Sequence, residues 1–277
     1  MEKEFHELVA AIESAGKHAR EYFESNVNPA TQKEDGSLVT EIDERIERLL
    51  REHIEVHFPE DTIVGEEGDT KVGASGFVWF IDPIDGTDNF VRKIPFFCVT
   101  AVRLGPTAEG TMSVVHNPIS GQTFASLMEN GSYENEHLCN LTAEPVGSRY
   151  MVDLSVPSRD WLKSAKYNLI RGISDEFGKA TTLSSGLLGY AFVASGRVDA
   201  LLQFGLKGWD SAAGLYLVRA AGGAISVFRD GAWQRYDGLI QDLYDENYDG
   251  RPSLIVSHPD IHDRLTEFVG DPQSWAT

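Results

Sequence analysis

The densest run of chemically useful residues is Trp79-Phe80-Ile81-Asp82-Pro83-Ile84-Asp85-Gly86-Thr87-Asp88-Asn89-Phe90. Its first part reads as a buried strand that delivers Asp82 at the carboxyl end, where open sheets usually bind ligands. Pro83 keeps Asp82 extended and delays any helix. Asp85 follows three residues on, so a tight turn aims both carboxylates and an intervening carbonyl at one point. Gly86 and Thr87 then offer backbone N–H groups that can open a helix, and such a start binds anions. Cation ligands beside an anion cradle are what phosphate chemistry with Mg²⁺ requires, since Mg²⁺ takes oxygen donors and lets substrate phosphate complete its shell. Alone, the Asp-Pro-x-Asp-Gly pattern favours the plainer reading, a strand followed by an Asp-Pro turn and an Asp-capped helix.

Three further acids stand in motifs of their own: Glu66 in Gly65-Glu66-Glu67-Gly68, Asp210 in Gly208-Trp209-Asp210-Ser211-Ala212-Ala213-Gly214, and Asp43 in Thr40-Glu41-Ile42-Asp43. Each has a plainer role available. Asp43 fits a capping box, Asp210 a helix N-cap, and the Glu66-Glu67 pair a solvated loop. Carboxylates converging on one cleft would repel, and some would take up protons at neutral pH. Bound cations would turn the same cluster into a positive site for a phosphate dianion. Paired metals can activate water and stabilise a leaving alkoxide, so no Ser, Cys or His nucleophile is needed.

Composition narrows the alternatives. At 277 residues the chain is one large domain or two intimate ones. Its 24 Lys+Arg against 43 Asp+Glu leave a formal charge of −19, which disfavours nucleic acid and anionic membranes as partners. Two cysteines, Cys98 and Cys139, are too few for a disulfide scaffold or a four-ligand zinc site. No apolar stretch approaches a membrane span, and the start is acidic, so a soluble cytoplasmic protein is expected. The pairs His53/His57 and His258/His262 read as surface helix residues, and Cys98 and Trp209 as core. Walker, Gly-x-Ser-x-Gly and dinucleotide fingerprints are absent from the sequence.

The elements that must hold these residues follow from periodicity. Phe5 to Phe23 repeats at three and four as a helix, broken at 26–30 and followed by a polar loop at 32–37. A second helix from Thr40 buries Ile42, Ile46, Leu49, Leu50 and Ile54, with a solvated face of Glu and Arg. Strands read at 62–64, 77–82, 97–104, 111–115 and 123–127, with Asn117–Gly121 as a hairpin connection. The polar interval 128–149 reads as the boundary between halves. Beyond it alternate a strand (151–156), helices (160–173 and 186–194), a strand (199–204) and a helix from Asp210 closed by Gly222-Gly223. Strands at 224–228 and 253–257 and a helix at 259–269 finish the chain.

Gly65-Glu66-Glu67, Asp82-Pro83-Ile84-Asp85-Gly86-Thr87 and Gly208–Gly214, in that order, resemble the inositol monophosphatase family, the lithium-sensitive, Mg²⁺-dependent phosphomonoesterases that neighbour fructose-1,6-bisphosphatases. The resemblance runs from Lys33 to Gly223 and implies an α+β fold, a layered α-β-α-β-α sandwich. Residues 1–149 would form an α+β half carrying the metal and phosphate motifs. Residues 150–277 would form an α/β half supplying Asp210 and part of the pocket, the two making one catalytic unit. It implies that Glu66, Asp82, the Ile84 carbonyl, Asp85 and Asp210 bind two or three Mg²⁺, with Glu66 also orienting the attacking water. Gly86 and Thr87 would hold the phosphate, the Thr87 hydroxyl would position the nucleophile, and Asp43 would hydrogen-bond Thr87. Lys33 is similar to a mobile-loop lysine near the metals, although a lysine in a polar loop is ordinarily just exposed.

Six positions before Trp209, where inositol phosphatases place an acid that holds an inositol hydroxyl, stands Gln203, a substrate-binding candidate whose amide is uncharged and half donor. The substrate class implied is a small phosphorylated metabolite: an inositol or sugar phosphate, with fructose-1,6-bisphosphate, histidinol phosphate or a nucleotide 3′-phosphate as alternatives. A regulatory binding protein of the same fold is a further reading, and a homodimer is expected by analogy.

Overall fold

Leu8, Ile12, Ala15 and Ala19 recur on one side of helix α1 (Glu2–Glu24), and the computed structural model buries that stripe. The structure describes residues 1–25, 30–32, 38–127, 130–139, 141, 149–155, 160–205, 207–244 and 251–276. After α1 come the antiparallel pair β1 (Ala30–Gln32) and β2 (Leu38–Thr40), then α2 (Glu41–His57). Strands β3 (Thr62–Gly65) and β4 (Val78–Asp85) precede a one-turn helix, α3 (Thr87–Val91). β5 (Cys98–Leu104), β6 (Met112–Asn117), β7 (Gln122–Leu127), β8 (Tyr133–Glu134) and β9 (His137–Leu138) complete a seven-stranded sheet in sequential order.

The second sheet begins with β10 (Tyr150–Ser155), α4 (Asp160–Glu176) and β11 (Gly178–Thr181). It continues through α5 (Gly186–Ala194), β12 (Ala200–Phe204), α6 (Ala212–Ala220), β13 (Ala224–Arg229), β14 (Ala232–Arg235), β15 (Ser253–Ser257) and α7 (Pro259–Val269). Its strand order is β11-β10-β12-β15-β13-β14, parallel where β10 meets β11 and β12 and antiparallel elsewhere.

Alternation along the strands sets the layers. On β4, Trp79 and Ile81 join the core under α1 and α2, while Val78 and Phe80 join the one around α5 and α6. On β12, Leu201 meets that same central core, and Ala200, Leu202 and Phe204 meet the core under α4 and α7. The order is therefore helices, sheet, helices, sheet, helices, as expected, with both sheets covered on both faces.

Several local readings are corrected. Gln32 and Ala30 lie in β1 rather than in the break and loop, of which 26–29 and 33–37 fall outside the described residues. Leu49 is 37 % exposed and Glu47 only 2 %, because the inner face of α2 must supply an acceptor to a neighbouring loop. The interval 128–149 holds β8 and β9, which extend the first sheet. His262 is buried between Ser226 and Ser257, each within hydrogen-bond reach of one ring nitrogen, and burial pushes its pKa down to about 4. Trp209 is half-buried against the central core. Among the described residues no helix is long and apolar enough to cross a membrane.

Candidate functional site

Strand β4 is buried from end to end and does not stop at Asp82 as its sequence suggests. Against β5, Asp82 faces Thr100 and Asp85 faces Cys98, three steps against two, so a bulge sits between the acids. The bulge accommodates Pro83, which has no N–H for the ladder. Inside it, Ile84 N donates to Asp82 Oδ1 at 3.0 Å, and the Thr87 hydroxyl donates to the Ile84 carbonyl at 3.0 Å. Gly86 has φ +89°, and a Cβ there would stand 3.1 Å from the Ser184 carbonyl, so glycine is required by both backbone and space.

Asp85 is held from the far half of the chain. Its Oδ2 accepts Ser185 Oγ at 2.5 Å and Leu187 N at 2.9 Å, and its Oδ1 accepts Gly186 N at 3.2 Å. These donors form the N-terminus of α5, whose dipole favours an anion. Cys98, in the core as expected, adds an Sγ contact at 3.6 Å. Burial nevertheless outweighs these bonds and raises the Asp85 pKa.

Asp210 precedes α6, whose N-cap is Ser211, so its carboxylate is free of the capping role. Oδ2 accepts Lys207 N at 3.0 Å, and burial, then Glu66 and Asp85, push its pKa up to about 8. Asp43 does complete the capping box of α2, its Oδ2 accepting Thr40 N at 2.9 Å and Thr40 Oγ1 at 2.5 Å. The single Thr87 hydroxyl proton goes to Ile84, so the expected Asp43–Thr87 bond is not the one formed here. Lys33 lies outside the described residues.

Gln203 is corrected outright as a substrate contact. It is fully buried, accepts from the Tyr190 hydroxyl, and donates to the Asp210 carbonyl at 3.1 Å. It braces the Asp210 turn from behind, because the β12 register that fills the central core also turns this position inward.

Glu66, Asp82, Ile84, Asp85, Gly86, Thr87 and Asp210 all line one cavity of about 600 Å³. Burial first, then Glu66, Asp85, Asp210 and Asp43 in turn, raise the Asp82 carboxyl well above the usual range. Motifs from distant parts of the chain thus share one field. Among the described residues no three of His, Cys, Asp or Glu are gathered closely enough to hold one metal ion by themselves; the acids line the cavity walls instead. That suits Mg²⁺, which is held by few carboxylates plus water and substrate phosphate. A hard divalent cation fits the all-oxygen donor set and would relieve the repulsion.

Other residues here escaped sequence reasoning. Ser155, Lys166, Thr182, Ser184 and Arg92 line the rest of the cavity. Asp153, buried with its pKa pushed up to about 6, takes Leu183 N at 3.0 Å. The Asn89 amide donates to the carbonyls of Phe96 (2.8 Å), Leu183 (3.1 Å) and Ser184 (3.2 Å), tying the two halves behind the cavity. Among these only Asn89 stood in a run the sequence singled out, Trp79–Phe90. Asn89→Ala should cost roughly 2 kcal/mol in urea unfolding, since it strips the amide from three carbonyls at once; no change in midpoint would show that water replaces it.

Comparison with known proteins bears on the family and the fold. The chain is 33 % identical over 232 residues to the Nus factor SuhB of Salmonella typhimurium, covering 81 % of this chain and 86 % of the relative. It is 32 % identical over 219 residues to an inositol-1-monophosphatase of Rhizobium meliloti, covering 78 % and 82 %. The structure superposes on an IMPase from Thermotoga maritima with a TM-score of 0.79 at 24 % identity, covering 97 % of each chain. The extragenic suppressor protein suhB of Bartonella henselae gives 0.80 at 23 %, covering 95 % and 96 %. A family model matches residues 1–266, and with its three motifs meeting in one cavity the chain belongs to the inositol monophosphatase family.

Proposed function

We propose that the protein hydrolyses a small phosphate monoester with Mg²⁺, releasing inorganic phosphate. One observation carries the reading: Glu66, Asp82, Asp85 and Asp210 wall a single cavity with Gly86 and Thr87. Glu66, Asp82, the Ile84 carbonyl, Asp85 and Asp210 would hold two or three ions. When bound, Mg²⁺ would supply Lewis acidity toward the ester and an activated water. The protein's own groups divide the remaining work. Glu66 accepts from and orients the attacking water, and the Thr87 hydroxyl helps place it. Backbone N–H groups at Gly86 and Thr87 face the phosphate. Asp43 would support this end from the first turn of α2, and Lys33 would serve as the family's loop lysine. Residues 1–149 and 150–277 act as two halves of one catalytic unit, in a homodimer working in the cytoplasm.

Phosphate release from inositol, sugar, histidinol and nucleotide 3′-phosphates, with and without Mg²⁺ and with Li⁺ added, tests this. Mg²⁺-dependent, Li⁺-inhibited turnover is expected, and no release from any ester would overturn it. The curated name Nus factor SuhB, carried by a relative, favours a second reading as a regulatory binding protein; a phosphatase-silent chain that binds a protein partner would support it. The −19 charge argues against direct nucleic-acid contact.

The alcohol half of the ester would meet Ser155, Thr182, Ser184 and Lys166. Lys166 is half-buried and lines the same cavity as Glu66, Asp82, Asp85, Asp88 and Asp210. Lys166→Gln should raise KM about five-fold for substrates with a second anionic group and leave kcat unchanged, since one charge–charge contact is worth roughly 1 kcal/mol. Equal KM changes on esters with and without that group would assign Lys166 a general field effect instead.

A further inference from the structure

Helix α2 carries Asp43, Glu47 and Arg51 at intervals of four, on one face. Glu44, Glu52 and Glu55 on the same helix are exposed, whereas Glu47 is enclosed. An enclosed carboxylate is costly unless its lone pairs are filled, and those of Glu47 are. Its Oε2 accepts Glu67 N at 2.7 Å, and its Oε1 accepts Gly68 N at 2.9 Å and Arg51 Nε at 2.7 Å. Arg51 also donates to the Gly68 carbonyl at 3.2 Å. A Cβ at Gly65 would fall 2.2 Å from Glu47 Oε1, so a bare backbone is needed for the loop to settle on the carboxylate.

The loop so clamped is the one that carries Glu66. On its near side Glu66 N donates to Ile81 O of β4 at 3.2 Å, and immediately beyond it the next two amides are fixed by Glu47. Backbone freedom is removed on both sides of Glu66, which leaves its side-chain torsions to aim the carboxylate at the cavity. Charge-assisted bonds from consecutive amides to one carboxylate fix orientation as well as distance.

We propose that Glu47, braced by Arg51, is a positioning residue for Glu66 and sets the Mg²⁺ affinity of the cavity. This rests on Glu66 being a metal ligand, as in the function proposed above. Glu47 is not among the residues that line the cavity. Partners that orient a ligand typically change metal affinity 10–100-fold when removed. In Glu47→Gln one oxygen becomes an NH₂ group, a donor that faces either Glu67 N or the pair Gly68 N and Arg51, so one loop amide loses its acceptor and Arg51 its anionic partner.

The test is calorimetric titration of Mg²⁺ into the whole protein without substrate, beside activation of phosphate release by Mg²⁺. Glu47→Gln should weaken Mg²⁺ binding about ten-fold or more, raise the half-activating Mg²⁺ concentration in step, and leave substrate KM at saturating Mg²⁺ unchanged. Ile46→Val, in the core one residue away, controls for lost stability and should leave Mg²⁺ affinity at the wild-type value. If Glu47→Gln fails to fold, Arg51→Met removes the brace and should shift Mg²⁺ affinity in the same direction by a smaller factor. Wild-type Mg²⁺ affinity in the folded variants would overturn the proposal. A wild-type protein that binds no Mg²⁺ would overturn this and the metal assignment together. One that binds Mg²⁺ without releasing phosphate would overturn only the hydrolytic reading.

Discussion

Asp82→Asn is expected to lower phosphate release by roughly 10²–10³-fold or more while the protein remains folded. The side chain is 1 % exposed, and four other acids act against its charge. Asn keeps the volume and an oxygen acceptor for Ile84 N, so the bulge geometry survives. What it loses is the negative charge that a cation would bind. The opposite sign is expected for stability. Without metal, the variant should melt at or above the wild-type temperature near pH 8, because a buried repulsion has been deleted. Phosphate assays and circular-dichroism melts with EDTA separate the two effects. Full retained activity, or loss of the cooperative transition, would remove Asp82 from the site.

The second large effect is on stability against pH in the absence of metal. Asp210 titrates at about 8 when folded, against an ordinary 3.8, and Asp82 and Asp85 are shifted in the same direction. Groups whose folded pKa is raised stabilise the protein fully below the unfolded value. They lose that contribution as pH rises toward the folded value. Metal-free protein should therefore lose roughly 1 kcal/mol per pH unit and per strongly shifted acid between about pH 4 and 8, offset in part by other titrations. Bound Mg²⁺ favours the ionised acids and cancels the loss. The rise in Tm on adding Mg²⁺ should accordingly be small at pH 5.5 and large at pH 8.5. A rise independent of pH would mean that the ions sit away from these carboxylates.

What the sequence made legible was local. Asp82 through Thr87 could be read because the strand, the proline, the two acids and the glycine lie within one short run. Trp79, Ile81, Val78 and Phe80 betrayed a two-sided strand by being apolar without interruption. Glu47 could not be read, since on α2 it is one glutamate among several and only the arrival of the 66–68 loop sets it apart. Gln203 was found by counting from Trp209, but counting gives a position and not a direction; Tyr190 and the pairing of β12 decide which way it faces. Asp210 and Ser211 compete for one helix cap, and the winner is settled by the cavity. The strands β8, β9, β11 and β14 are too short for alternation to show.

The donors that grip Asp85 lie about a hundred residues downstream of it. During synthesis the ribosome therefore releases the acidic loop long before its grip exists, and Asp210 emerges later still. A nascent chain cut short of Ser185 would carry the Asp82–Thr87 hexapeptide without any of the donors that grip Asp85, so the two acids of that run share one fixed geometry only once α5 has been made.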